Sequence, residues 1–189
     1  MSVPPAPPLL LASTSPQRSA ILHQLRIPFD VQAPSYEERD DAGRDPVELV
    51  REHARGKAHS VAREPDDRPV LGGTVFGKPA DAGEAEAMLE RLSGATHEVV
   101  SGLCLVTPAW EELEHDVTRV TFRALTPRDL AQYVSTGEWE GRAGAYAIQG
   151  VGAALVEQIE GDYLNVVGLP AVLLVRLLAT RFPGVYNVG

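Results

Sequence analysis

The chain reads as an α/β protein: a mixed β-sheet flanked by helices, with a long antiparallel hairpin near its middle. Three observations predict this. Apolar segments of strand length alternate with segments whose apolar residues recur at helical spacing, capping signals separate them, and two neighbouring β-period stretches are joined by only a turn. No internal repeat or low-complexity linker interrupts the order. A chain of 189 residues suffices for a substantial core, arranged as one domain or two closely joined lobes.

The first strand-to-helix transition is Leu9-Leu10-Leu11-Ala12-Ser13-Thr14-Ser15-Pro16-Gln17-Arg18. Pro16 suits the first helical position and Ser15 the N-cap, with Ile21, Leu22 and Leu25 at helical spacing up to about Arg26. Backbone N–H groups, the hydroxyls of Ser13, Thr14 and Ser15 and the Arg18 guanidinium would make a cradle for a phosphate or carboxylate. An ordinary capped βα turn uses the same residues, and the stretch by itself favours that plainer reading.

Phe29 to Ala33 alternates as a short strand that Pro34 ends, and an acidic segment, Tyr36-Glu37-Glu38-Arg39-Asp40-Asp41, follows. Asp45-Pro46-Val47-Glu48 opens a helix that runs from Pro46 to about Ala62 on the apolar stripe Val50, Ala54, Ala58 and Val61. Lys57 falls on that stripe. It either snorkels from the edge or points into a pocket holding a negative ligand.

Arg68 to Pro79 reads as a strand or hairpin remnant around Gly72-Gly73, with Lys78 pinned between Gly77 and Pro79. Asp81 to Leu92 is a helix with a capping box at Asp81 and Glu84, an apolar face of Ala85, Met88, Leu89 and Leu92, and a stop at Gly94. The period then changes: His97–Val106 and Val117–Phe122 read as strands around a turn at Pro108. Thr126 caps another helix ending at Gly137, and the glycine-rich run Gly141–Gly150 follows. Leu155–Ile159 is a short strand, and Ala171–Arg181 a C-terminal apolar helix. Ligands of such sheets bind at loops beyond strand ends, so the Ser13–Arg18 turn, the Thr74–Lys78 loop and the Gly144–Gly150 loop are expected to share one cleft.

Composition narrows the function classes. The chain is 44% hydrophobic and 23% charged, and its 17 Lys and Arg against 26 Asp and Glu give a net charge of −9. That balance opposes broad attraction to nucleic acid or anionic lipid, so an anionic ligand needs a local basic pocket. The single cysteine, Cys104, excludes an internal disulfide framework, and the lack of paired Cys or His motifs speaks against structural zinc. A reducing cytoplasm fits best. Residues 1–8 form a proline-rich lead-in without the features of a signal peptide, and no run is long enough to span a membrane.

Several stretches together resemble the signatures of one family. They are Leu11–Arg18, Glu37-Glu38, Lys57, Gly77-Lys78-Pro79, Leu92-Ser93-Gly94 with His97, Ala143–Gly150 and Val166–Pro170, all in family order and spanning nearly the whole chain after the lead-in. The family is Maf, whose cytoplasmic members are nucleoside triphosphate pyrophosphatases historically linked to inhibition of septum formation. The resemblance implies a single Maf/ITPase-like domain over 9–189. It also implies cleavage between the α and β phosphates with help from Mg²⁺ or Mn²⁺, and it allows a homodimer. Residue by residue, Ser13, Ser15, Gln17 and Arg18 become the phosphate-binding turn, and Lys57 and Lys78 approach the triphosphate, Lys78 with a catalytic role. Glu38 becomes the acid holding the metal or the attacking water, while Glu37 is solvated. Gln149 lines the nucleotide pocket, and its Ile-Gln-Gly setting is similar to the subgroup acting on dTTP and UTP.

Two departures accompany the resemblance. Gln17 stands where the family has the first of two arginines, which weakens the pyrimidine assignment. Between Gly72 and Gly77 the family has an Asp-Thr and a hairpin that this chain lacks, so the Asp serving there as base and metal ligand has no counterpart. Asp66 and Asp67 precede the strand and Asp81 caps the next helix. Because extended residues span only about 3.3 to 3.6 Å each, the sheet must lose the hairpin or be rebuilt. The expectation is weak Mg²⁺ binding and slow hydrolysis by the chain as it stands. Two function classes therefore compete: an active pyrophosphatase, and a nucleotide-binding regulator that has lost catalysis.

Overall fold

Alternating strands and helices build a mixed six-stranded sheet of order β2-β1-β3-β4-β5-β6 in the computed structural model, which describes residues 6–39, 43–62, 68, 70–75 and 77–186. The strands are β1 (Leu9–Ala12), β2 (Phe29–Gln32), β3 (Val70–Val75), β4 (Thr96–Val106), β5 (Glu111–Phe122) and β6 (Val156–Glu160). The helices are α1 (Pro16–Gln24), α2 (Pro46–Val61), α3 (Ala82–Leu92), α4 (Pro127–Val134), α5 (Tyr163–Val167) and α6 (Ala171–Arg181). β1 pairs in parallel with β2 and β3, while β5 and β6 pair antiparallel. The α/β mixed sheet expected from the sequence is thus the fold observed.

Contacts divide the chain into two compact units. The first comprises residues 1–74, 100–116 and 168–189, the second 75–99 and 117–167. Each has its own core. In the first, Leu10, Ala12, Ala54, Ala58, Val61, Val70, Cys104 and Val106 pack together, and in the second Ala85, Leu89, Val120, Phe122, Leu130, Tyr133, Tyr146, Ile148 and Leu155 do so.

The stripe Val50, Ala54, Ala58 and Val61 is buried as its spacing predicts. What seats α2 on the sheet is glycine. A Cβ on Gly72 would fall 2.1 Å from the Ala54 carbonyl oxygen, and one on Gly102 equally close to that of Val50, so the two strands leave bare backbone where the helix crosses. This close approach fixes the height at which Lys57, on the same helix, stands above the sheet.

Most boundaries fall within a residue or two of expectation. The strand expected over Phe29–Ala33 stops at Gln32, and that over Leu155–Ile159 starts at Val156 after a 3-10 turn, Val151–Leu155. Ser15 is the N-cap of α1 by position, but its hydroxyl donates to Gln17 Oε1 (3.0 Å) in place of capping the helix. Asp81 caps α3 by accepting from Glu84 N (2.8 Å), while Glu84 reaches back to Ala80 N (2.8 Å), one residue earlier than a regular capping box.

β5 begins six residues before Val117, the expected start. Its first half is polar and hides its period, because long side chains from other elements hold it: Arg51 donates to Leu113 O (3.0 Å), Arg55 and His59 pair with Glu111, and Arg181 pairs with Glu112. Helix α5 was not foreseen. Asp162 Oδ1 accepts from Leu164 N (2.8 Å) and starts its turn.

At the expected family hairpin, β3 runs straight through Val75, and beyond Phe76 the chain enters Gly77-Lys78-Pro79. Asp40, Asp41, Asp66, Asp67 and residues 1–5 of the lead-in lie outside the described residues. Pro7, near its end, is tied down: Tyr186 Oη donates to its carbonyl (2.7 Å).

Candidate functional site

In the first unit, β1 ends at Ala12 and α1 begins at Pro16, so the short connection brings Ser13 and Arg18 together. Ser13 Oγ accepts from Ser15 N (3.2 Å) and from Arg18 Nη1 (3.1 Å), and Arg18 Nε donates to Gly168 O (3.0 Å). Both side chains are buried, Arg18 to 7% exposure. Its hydrogen-bond acceptors are neutral oxygens, so among the described residues the guanidinium has no directly bonded counterion. Burial brings its pKa down to about 10, partly opposed by the negative charge of Glu38. It is still a cation at neutral pH. A buried guanidinium at a helix start, hydrogen-bonded to neutral oxygens and with Glu38 acting on it only through its charge, is chemically suited to an anion.

Lys57 meets a carboxylate of this chain. Its side chain is 12% exposed and forms an ion pair with Glu38, which is itself exposed, so the apolar stripe carries its lysine at an edge where a carboxylate meets it. The contact that delivers Glu38 was not visible in the sequence. Two residues before Glu38, the Tyr36 ring packs against Gly56, where a Cβ would fall 2.3 Å from Tyr36 Cε2, and Tyr36 Oη hydrogen-bonds His53 Nδ1 (3.0 Å). Burial, reinforced by the charges of Glu52 and Glu38, raises the Tyr36 pKa, so the phenol stays neutral. The single sequence signal was a glycine inside a helix next to the lysine.

Lys78 and Gln149 belong to the second unit. Both are exposed, and their stretches are joined by a hydrogen bond from Gly144 N to Gly77 O (2.7 Å). Gly77 and Gly144 both hold positive φ, 76° and 68°, which makes glycine the residue of choice at this junction. Of the expected residues, Ser13, Ser15, Gln17, Arg18, Glu38 and Lys57 thus lie in the first unit, and Lys78 and Gln149 in the second.

No three His, Cys, Asp or Glu side chains among the described residues come together in a way that could hold a cation by themselves. The donor set suits a different arrangement. Mg²⁺ is commonly held by one or two carboxylates plus substrate phosphates and waters, so Glu38 alone fits an ion that arrives on a triphosphate. Among the described residues no helix is long and apolar enough to cross a membrane.

Comparison with known proteins gives a consistent picture. A family model described as "Maf-like protein" matches residues 8–181. A dTTP/UTP pyrophosphatase of Deinococcus radiodurans is 44% identical, covering 97% of this chain and 97% of the relative. One from Symbiobacterium thermophilum is 46% identical over 92% of this chain and 93% of the relative, and one from Pyrococcus furiosus is 42% identical over 90% and 93%. The Deinococcus alignment spans 192 positions, more than the 189 residues present, so that relative holds residues this chain lacks.

Proposed function

Since this chain belongs to the Maf-like protein family, we propose that it is a nucleoside triphosphate pyrophosphatase that hydrolyses dTTP and UTP to the monophosphate and pyrophosphate. The observation that carries this reading is the buried Arg18 guanidinium, bonded to Ser13 and Gly168 yet without a bonded counterion. A phosphate placed at the turn would give the guanidinium a directly bonded anion.

The chain's own residues divide the work. Ser13, Ser15, Gln17 and Arg18 take up the phosphates. Lys57 exchanges its partner Glu38 for a phosphate oxygen, and Lys78 adds a second cation on the leaving pyrophosphate. Glu38, released from Lys57, accepts a hydrogen bond from the attacking water and orients it toward phosphorus. Water oxygen bonds to phosphorus as the α–β bridging P–O bond breaks. The electron pair leaves with pyrophosphate, and the proton of water passes to solvent through the carboxylate. A divalent cation carried by the nucleotide would neutralise phosphate charge, with Glu38 as its protein ligand.

The reading places the protein in the cytoplasm with nucleotides as its partners, takes no nucleic-acid polymer or membrane, and accommodates a homodimer. The net charge of −9 supports the exclusion of polyanions. A regulator that has lost catalysis is not favoured, because relatives bearing the pyrophosphatase name match across nine-tenths or more of their length. Gln149 reads the base edge in this account. Changing Gln149→Ala should flatten the preference for dTTP and UTP over ATP and GTP, measured as ratios of kcat/KM, while leaving the thermal midpoint in place. An unchanged ratio removes Gln149 from the site.

A further inference from the structure

Between α4 and the glycine-rich loop stands Glu138, a half-buried carboxylate to which none of the roles above belongs. Its Oε1 accepts from Val151 N (2.9 Å), and its Oε2 accepts from Gly152 N (2.9 Å) and from the Tyr133 hydroxyl (3.0 Å). The same Tyr133 hydroxyl accepts from Ala147 N (3.0 Å). One carboxylate and one phenol thus take up backbone N–H groups on both sides of Ile148-Gln149-Gly150. All these residues lie in one unit.

Gly150 shows how closely the parts are fitted. A Cβ there would fall 1.8 Å from Glu138 Oε1, so the carboxylate fills the place that a side chain next to Gln149 would take. The loop is held from a second direction as well: His97 Nε2 hydrogen-bonds Tyr146 Oη (3.0 Å), and the two rings meet edge-on with Phe122. Tyr133 is 2% exposed, whereas Gln149 at the tip is exposed. The loop therefore has a fixed base and a free reading head.

We propose that Glu138 and Tyr133 are positioning residues that set the base selectivity of the enzyme by fixing the backbone on which Gln149 is presented to a pyrimidine nucleoside triphosphate. The proposal rests on the reading of Gln149 given above. A single side-chain amide discriminates between bases only if its backbone is held to within a fraction of an ångström, and here Tyr133 and Glu138 accept from the Ala147, Val151 and Gly152 N–H groups that flank it. Mere tethering of a loop would cost stability when lost. Positioning costs selectivity.

The test is a cycle of Tyr133→Phe, Glu138→Gln and Gln149→Ala, singly and in pairs with Gln149→Ala. KM and kcat are measured for dTTP and GTP well below each variant's thermal midpoint. Tyr133→Phe and Glu138→Gln should each raise the KM for dTTP and lower the dTTP:GTP ratio of kcat/KM by about tenfold, with kcat changed by no more than about twofold. In the Gln149→Ala background neither should lower the ratio further, because both act through Gln149. If Gln149→Ala leaves the ratio intact, the reading of Gln149 fails and takes the proposal with it. Should Gln149→Ala lower the ratio while the other two change only the thermal midpoint, or lower the ratio additively with it, the positioning role alone is overturned. Tyr133→Phe, which keeps the buried ring, carries the test where Glu138→Gln does not fold.

Discussion

Arg18 and Lys78 carry the same charge in opposite surroundings, and this separates binding from stability at the level of single residues. Arg18 is buried and holds Ser13 and Gly168, whereas Lys78 is exposed between a left-handed glycine and a buried proline. Lys78→Ala should weaken dTTP binding without moving the thermal midpoint. Arg18→Ala should weaken it by about 1.5 to 3 kcal/mol, the worth of a charge-assisted contact, and also lower the midpoint, since the Gly168 carbonyl loses its donor. Calorimetric titration with a non-hydrolysable dTTP analogue and thermal melts check both, and unaltered affinity in either variant removes it from the phosphate site. The contact between Ser13 and Arg18 follows from the sequence because the turn and the guanidinium lie within a few residues of one another. That of Tyr36 with His53 and Gly56 does not. The need for glycine at 56 exists only once the Tyr36 ring is laid on it, and nothing local announces that contact.

At the level of elements, capping chemistry located the helices, and the strands with an unbroken apolar period were equally plain. The start of β5 and helix α5 were hidden because their stabilising partners are distant: Arg51, Arg55, His59 and Arg181 for the polar strand, and Thr118 with Val99 for Asn165 at the centre of α5. Thr126 caps α4 as expected, within a capping box with Asp129 that has a third member, as Arg123 donates to Asp129 Oδ1 (2.9 Å) and Oδ2 (3.2 Å). The Arg123 hydrogen bonds, followed by those from Thr126, hold the Asp129 carboxyl well below its usual pKa. A carboxyl depressed in the folded state contributes stability that is complete above its unfolded pKa of about 3.9 and fades as the pH falls below it. Parent and Asp129→Asn should therefore differ fully in urea midpoint at pH 7 and converge progressively below about pH 4. A difference that stays constant down to pH 2 would show that the carboxylate charge is not what holds this helix start.

For the whole molecule the open question is catalytic strength. The chain passes from β3 into Gly77-Lys78-Pro79 where the family resemblance leads one to expect an Asp-Thr and a hairpin, and the carboxylate proposed above for the reaction is Glu38, paired with Lys57. Inserting a family-type Asp-Thr hairpin after Gly72 should raise turnover of dTTP with Mg²⁺ by about a hundredfold, the usual worth of a general base. No gain in a folded insertion variant would mean that another carboxylate already serves. The central claim, hydrolysis between the α and β phosphates, is tested most directly by product analysis of the chain as it stands. Purified protein is incubated with dTTP and Mg²⁺, and dTMP, dTDP, pyrophosphate and orthophosphate are quantified together. The account predicts dTMP and pyrophosphate in equal amounts, formed faster from dTTP and UTP than from ATP and GTP. Bound dTTP that is never cleaved, or dTDP with orthophosphate, would contradict it.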